Sequence, residues 1–103
     1  MKIKTQNNEN YIITGKEYIV LGIEAGSYRI INEIGEPCLY GPEGFEVTDE
    51  SKPSFWVCEV GKDDEKYCYP KEWNGIGFFE DYFNGVVEAK STFNRVLKQI
   101  YAQ

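Results

Sequence analysis

The sequence predicts an α+β protein in which a bent antiparallel β-sheet carries an added hairpin and a C-terminal amphipathic helix. Short segments rich in β-branched and aromatic residues alternate with turn residues from residue 2 to residue 70, which is typical of antiparallel strands. Hydrophobic residues recur every three or four positions from 88 to 101, without Gly or Pro, which indicates a helix packed on one face. With 103 residues, 42% of them hydrophobic and 16% aromatic, the chain is long enough for one packed core.

The first half of the chain contains five predicted strands that follow one another as a meander. They span residues 2–5, 15–23, 28–32, 37–40 and 45–47. Residues such as Gly, Pro, Asn and Ser separate them, and these favour turns because they supply the backbone angles or local hydrogen bonds that turns need. Pro42, Glu43 and Gly44 form a tight turn before the last strand.

The second half contains a predicted hairpin followed by two helices. Residues 55–60 and 66–69 form the arms of the hairpin, which we expect to extend the first sheet. Residues 78–83 form a short aromatic helix whose rings we expect to fill the core. Residues 88–101 form the amphipathic helix, with its charged residues on the outer side.

The whole chain, residues 1–103, is predicted to be one domain. Residues 1–48 form its sheet, and residues 54–103 supply the hairpin and helices that pack on that sheet, because neither half is long enough to bury a good core alone. The predicted core comprises Ile3, Tyr18, Val20, Ile30, Leu39, Phe45, Val57, Phe79, Phe83, Phe93, Val96, Leu97 and Ile100.

Three motifs of the first half resemble a known family. They are Gly15-Lys16-x-Tyr18-x-Val20, then Tyr28-x-Ile30-x-Asn32, then Gly35-Glu36-Pro37-x-x-Tyr40-x-Pro42-x-x-Phe45-Glu46-Val47. This arrangement is similar to the small SH3-like barrels of short bacterial and phage proteins. The resemblance covers roughly residues 1–48, implies an SH3-like bent sheet or barrel, and leaves residues 54–103 as an extension of no characterised family.

Acidic residues outnumber basic ones, and the excess lies in the first half. The net charge is −6, and residues 1–51 contain nine Asp and Glu against four Lys and Arg. A negative surface repels phosphate backbones and anionic lipid heads, so direct binding of nucleic acid or of a membrane surface is disfavoured. The charge favours a protein partner with a basic surface.

The cysteines and the missing histidine bear on redox chemistry and catalysis. The chain has three Cys, no His and no apolar stretch of signal-peptide length, so we expect a cytoplasmic protein with free thiols, no metal and no cofactor. A disulfide between Cys58 and Cys68 is the lesser alternative, because a hairpin would bring them close. No phosphate-binding glycine loop or catalytic constellation is present, so no catalytic residue is predicted.

These observations predict a non-enzymatic, acidic protein-binding module. The leading hypothesis is an immunity or inhibitor protein that neutralises a toxin, for which a basic nuclease is the suggested target. The alternative is an SH3-like adaptor of a phage or mobile element that binds a peptide or host protein through an aromatic groove. The predicted partner-binding residues are Glu24, Glu33, Glu36, Glu43, Glu46, Asp49 and Glu50, with Tyr28 and Tyr40 as aromatic anchors.

Overall fold

Eight strands and two α-helices make up the protein, seen here in a computed structural model that describes residues 1–102. The strands are β1 Lys2–Thr5, β2 Tyr18–Ile19, β3 Gly22–Glu24, β4 Ser27–Ile31, β5 Pro37–Tyr40, β6 Phe45–Asp49, β7 Trp56–Val60 and β8 Lys66–Pro70. The helices are α1 Phe78–Phe83 and α2 Val87–Tyr101, and 3₁₀ turns span Lys62–Asp64 and Lys71–Trp73. The predicted α+β class is confirmed.

The strands form two antiparallel sheets. The smaller sheet has the order β2-β1-β6, and the larger has the order β5-β4-β3-β8-β7. Strand β8 pairs with β3 through Ile23 and Cys68, so the hairpin extends a sheet of the first half, as the sequence predicts. Within residues 1–102 the two sheets do not close into a barrel.

The predicted strand at residues 15–23 is divided between the two sheets. Tyr18–Ile19 pairs with β1, whereas Gly22–Glu24 pairs with β4 and β8. Val20 and Leu21, between the two segments, are both buried, although neighbouring residues of a regular strand face opposite sides. The single bent sheet of the prediction is therefore two sheets joined by a short buried crossing.

Gly22 begins β3 where the chain enters the larger sheet. Its Cα lies against the Tyr69 ring and the Cys68 carbonyl, and a Cβ at this position would collide with both. A larger residue here would displace Tyr69, which is itself buried. The glycine therefore lets β3 and β8 approach closely.

Buried side chains form two clusters, one under the helices and one between the sheets. The helix cluster contains Leu21, Tyr69, Trp73, Phe79, Tyr82, Ala89, Phe93, Val96 and Ile100. The sheet cluster contains Ile3, Tyr18, Val20, Ile23, Ile30, Tyr40, Trp56 and Cys68. Phe45 and Leu97, two members of the predicted core, are only partly buried and pack against these clusters.

Three residues of the predicted core lie on the surface instead. Leu39 and Val57 are exposed because β5 and β7 are the edge strands of the larger sheet and have a neighbour on one side only. Phe83 is exposed because it ends α1, whose inner face is formed by Phe79 and Tyr82. The predicted core is wrong at these three positions.

The predicted C-terminal helix is confirmed. Ala89, Phe93, Val96 and Ile100 are its buried residues, and their three- and four-residue spacing places them on one face. Phe93 stacks on the Trp73 ring with centroids 4.7 Å apart. Helix α2 is therefore held by aromatic contacts to the 3₁₀ turn that follows β8.

The structure joins Cys58 and Cys68 in a disulfide and leaves Cys38 as a free cysteine. The prediction of three free thiols is therefore wrong. Cys58 and Cys68 are direct partners in the β7–β8 ladder, with Cα atoms 4.1 Å apart, so the hairpin itself brings them together. The expected cytoplasmic location loses the support it drew from reduced thiols.

Candidate protein-binding surfaces

Glu24 belongs to a partly buried polar cluster, in which its own side chain stays partly exposed. Its Oε1 accepts hydrogen bonds from Arg29 Nη2 at 3.0 Å and from the Tyr69 hydroxyl at 2.9 Å. Arg29 also donates to the Tyr69 hydroxyl at 2.7 Å and to the Pro37 carbonyl at 2.6 Å, and its guanidinium lies 3.7 Å from the centre of the Phe79 ring. Glu24 therefore stabilises the fold and is already neutralised by Arg29.

Glu33 is also engaged within the protein. Its Oε2 accepts hydrogen bonds from Lys16 Nζ and from the Tyr18 hydroxyl, both at 2.7 Å. These two bonds hold the pKa of the Glu33 carboxyl below its usual value. A basic partner would have to compete with Lys16 for this carboxylate.

The other predicted acids are more accessible. Glu43, Glu46 and Glu50 are exposed on or beside β6, an edge strand of the smaller sheet. Glu46 has one distant cation, Lys4 Nζ at 3.9 Å. The Asp49 carboxylate accepts a hydrogen bond from the Ser51 amide at 2.8 Å, which lowers its pKa.

Glu36 lies in the turn between β4 and β5, apart from the β6 edge. It is half-buried, and its charge faces Tyr82 of α1. Burial is the larger cause of the raised pKa of Tyr82, and the Glu36 carboxylate adds to it. The structure thus groups four of the seven predicted acids near β6 and places the remaining three elsewhere.

The two predicted aromatic anchors differ in their accessibility. Tyr40 is buried, and its hydroxyl donates to the Asn10 carbonyl at 2.7 Å and accepts from Asn32 Nδ2 at 3.2 Å. Tyr28 is half-buried and meets the Phe45 ring edge-on at 6.3 Å. Of the two, Tyr28 is the one whose side chain a partner can reach.

A second surface surrounds α1. The sequence analysis did not predict it, because it placed the aromatic rings of residues 78–83 in the core. We call it the α1 surface. Its exposed apolar side chains are Ile76, Phe83, Val86 and Val87, and its carboxylates are Glu72, Glu80, Asp81 and Glu88. Which rings of residues 78–83 are buried depends on the side of α1 that packs against the protein. Amino-acid composition does not reveal that side.

A cleft of about 260 Å³ opens between β8 and α1. Its lining includes Tyr69, Trp73, Phe78 and Phe79, and Glu80 also contributes to its wall. Trp73 is 2% exposed, and its indole N–H has no hydrogen-bond acceptor in the described part of the chain. A buried donor without a partner is uncommon in folded proteins.

In residues 1–102, no group of three or more His, Cys, Asp or Glu side chains is arranged to hold a metal ion. Over the same residues, no helix is both long enough and apolar enough to cross a bilayer. No protein-family model, curated protein or solved structure matches the chain.

Proposed function

We propose that the chain is a non-enzymatic, acidic protein-binding module that acts as an immunity or inhibitor protein and neutralises a toxin with a basic surface. The observation that carries this proposal is the small number of internal ion pairs. The sequence has 17 Asp and Glu residues, and in residues 1–102 only three ion pairs form. Most carboxylates are therefore left facing solvent, available to a cationic partner.

Such a charge distribution suits an inhibitor that must reach its target quickly. Opposite charges on two proteins steer their encounter and raise the association rate, whereas isolated exposed pairs add little to affinity. A nuclease that binds a phosphate backbone presents the basic surface this mechanism needs. A basic nuclease toxin is therefore the target that fits the charge best.

The β6 edge is the part of the first half best placed for this contact. Glu43, Glu46 and Glu50 are exposed there, and charged side chains on an edge strand also discourage unwanted strand pairing. Glu24 and Glu33 contribute less, because each is held by cations and hydroxyls of the protein itself.

A co-expression experiment tests the proposal. The protein would be produced in a host together with the product of the neighbouring gene as the candidate toxin, and survival would be compared with that of cells producing the candidate alone. We expect protection, and we expect the association rate of the two purified proteins to fall as salt rises to physiological strength. No protection and no complex with that toxin would overturn the proposal.

Charge-reversal variants test whether the carboxylates at β6 in particular are needed for binding, and not only the net charge of the protein. Glu43→Lys with Glu50→Lys reverses two exposed charges at β6. Glu59→Lys with Glu65→Lys makes the same change in net charge on the β7–β8 hairpin, where both residues are also exposed. We expect the first pair to slow association by more than about fivefold and the second to change it by less than twofold. Equal effects would remove the β6 edge from the mechanism.

The alternative function is an SH3-like adaptor of a phage or mobile element that binds a peptide or host protein through an aromatic groove. The contact of Tyr28 with Phe45, both only partly buried, favours it. Binding of this kind depends weakly on salt, because apolar contacts are not screened by ions. An affinity that Tyr28→Ala abolishes and that salt leaves unchanged would replace the inhibitor hypothesis with this one.

A further inference from the structure

We propose that the α1 surface docks on a basic protein partner and that one apolar side chain of the partner enters the cleft between β8 and α1. This inference rests on the proposed function and deepens it, because it adds a second contact surface and specifies the partner's chemistry there. Its supports are the pattern of apolar and charged residues, the size of the cleft and the aromatic packing of α1 on the residues beneath it.

The α1 surface combines exposed apolar side chains with carboxylates. Ile76 is fully exposed, Val87 is 74% exposed and Phe83 is 51% exposed. Phe83 lines one cleft with Glu80, and Val86 lines another with Glu72, Asp81 and Glu88. None of the three ion pairs in the described residues involves these four carboxylates. An apolar patch with a polar border is the usual anatomy of a protein interface, and an acidic border selects a cationic partner.

Lys71 and Lys90 offset two of these four carboxylates, so the net charge of the surface stays negative. Lys90 Nζ lies 4.7 Å from the centre of the Tyr82 ring, a cation–π contact. Arg29 lines a neighbouring cleft with Phe83, but its charge is matched by Glu24. The half-buried carboxylate of Glu36 adds a further negative charge on the Tyr82 side.

The cleft fits one side chain better than a metabolite. Its volume of about 260 Å³ falls just below the range of roughly 300–1,000 Å³ for small-molecule sites. Its lining is mixed, with the rings of Tyr69, Phe78 and Phe79 beside the polar side chains of Glu24, Asn74 and Glu80. A Leu, Ile or Phe side chain from a partner would contact these rings, and basic residues beside it would be attracted by the carboxylates.

Aromatic contacts pack α1 against the residues beneath it. Phe79 meets Trp73 with centroids 6.0 Å apart, and Tyr82 meets Phe93 at 4.8 Å. These rings fix α1 on α2 before any partner arrives, so binding does not have to order the helix.

The binding site can be mapped with a defined probe before any partner is known. The probe is the capped peptide Arg-Leu-Arg-Arg-Leu-Arg, titrated into the ¹⁵N-labelled protein at low salt. We expect saturable chemical-shift changes concentrated in residues 72–88. Replacing each Leu of the peptide by Ala, or each Arg by Gln, should weaken binding at least about fivefold, because both the anchor and the charges contribute.

Matched variants identify the groups responsible. Ile76→Ser with Val87→Ser should weaken peptide binding about tenfold, whereas Ile13→Ser with Val60→Ser should change it less than twofold. The control pair removes the same residue types, and Val60 is 71% exposed against 74% for Val87. Glu80→Gln with Asp81→Asn should weaken binding about fivefold, and Glu59→Gln with Asp64→Asn, an equal loss of charge on the hairpin, should not.

Each outcome decides the inference separately from the proposed function. Shift changes confined to residues 43–50 would place the basic partner at the β6 edge and overturn the inference while the inhibitor function stands. The same holds if the peptide fails to bind saturably but the protein still protects cells from the toxin. Loss of protection with saturable peptide binding at residues 72–88 would instead overturn the function and retain the docking surface.

Discussion

Phe83 and Phe93 are the same residue in very different settings. Phe93 is 1% exposed and contacts the rings of Trp73, Phe79 and Tyr82. Phe83 ends α1 with half of its surface in solvent, and its one aromatic contact is with Tyr82. Both were predicted to lie in the core, because hydrophobicity alone does not tell which side of a short helix faces inward.

Truncating these two side chains should have unequal effects on stability. We expect Phe93→Ala to reduce the free energy of unfolding by about 3–5 kcal/mol, since it leaves a cavity among packed rings. Phe83→Ala should reduce it by less than about 1 kcal/mol, because water already reaches that ring. Urea denaturation followed by near-ultraviolet circular dichroism measures both values. Similar losses in the two variants would contradict the burial of these residues described above.

The charged residues of the predicted site show the same limit of sequence reasoning. A sequence gives the number of carboxylates but not which of them already have cations. Glu24 and Glu33 fell within the predicted binding set, yet Arg29 and Lys16 hold them. The distances of these partners along the chain, five and seventeen positions, carry no local signal that reveals the contact.

At the scale of elements, the clearest sequence patterns gave the best predictions. Helix α2 was predictable because its apolar spacing persists over four turns. The β7–β8 hairpin was predictable because two β-branched or aromatic segments flank a polar run. The division of 15–23 was not predicted, since strand propensity does not specify which neighbour a strand pairs with. The consecutive buried residues Val20 and Leu21 mark the division only once burial is known.

The disulfide across the hairpin makes a prediction about thiols. An oxidised sample, unfolded without reductant, should show one titratable thiol, that of Cys38, and three after reduction. Closing a loop of this length should stabilise the folded chain by about 2–3 kcal/mol through the loss of unfolded-state entropy. Reductant should therefore lower the unfolding midpoint of the wild type but not that of the Cys58→Ser/Cys68→Ala variant. Three thiols before reduction would contradict the disulfide.

For the whole molecule, the Arg29 cluster connects stability to alkaline pH. Burial raises the pKa of Tyr69 well above its ordinary value and outweighs the attraction of the Arg29 guanidinium. The unfolded chain loses this proton near pH 10, whereas the folded chain retains it. The contribution of Tyr69 to the free energy of unfolding is thus fully present below about pH 10 and is lost as the pH rises above that value.

We expect the wild type to lose stability between pH 9 and pH 11 more steeply than Tyr69→Phe. The difference in slope should approach about 1.4 kcal/mol per pH unit above pH 10, the value for one proton. Tyr11→Phe serves as the control, because Tyr11 is exposed. Urea unfolding at a series of pH values gives the slopes. Identical slopes for the wild type and Tyr69→Phe would show that Tyr69 titrates alike in both states.

The short buried crossing between the sheets has a consequence for the order of folding during synthesis. Strand β1 pairs with β6, which is made about forty residues later, and β3 pairs with β8 at a similar sequence separation. Because the buried residues Val20 and Leu21 connect β2 to β3, incorrect strand pairing in one sheet would displace the strand that enters the other. Both sheets can therefore complete their strand pairing only after residues 66–70 have left the ribosome. Helix α2 is made last, and the aromatic rings of the helix cluster stay exposed until it packs on them.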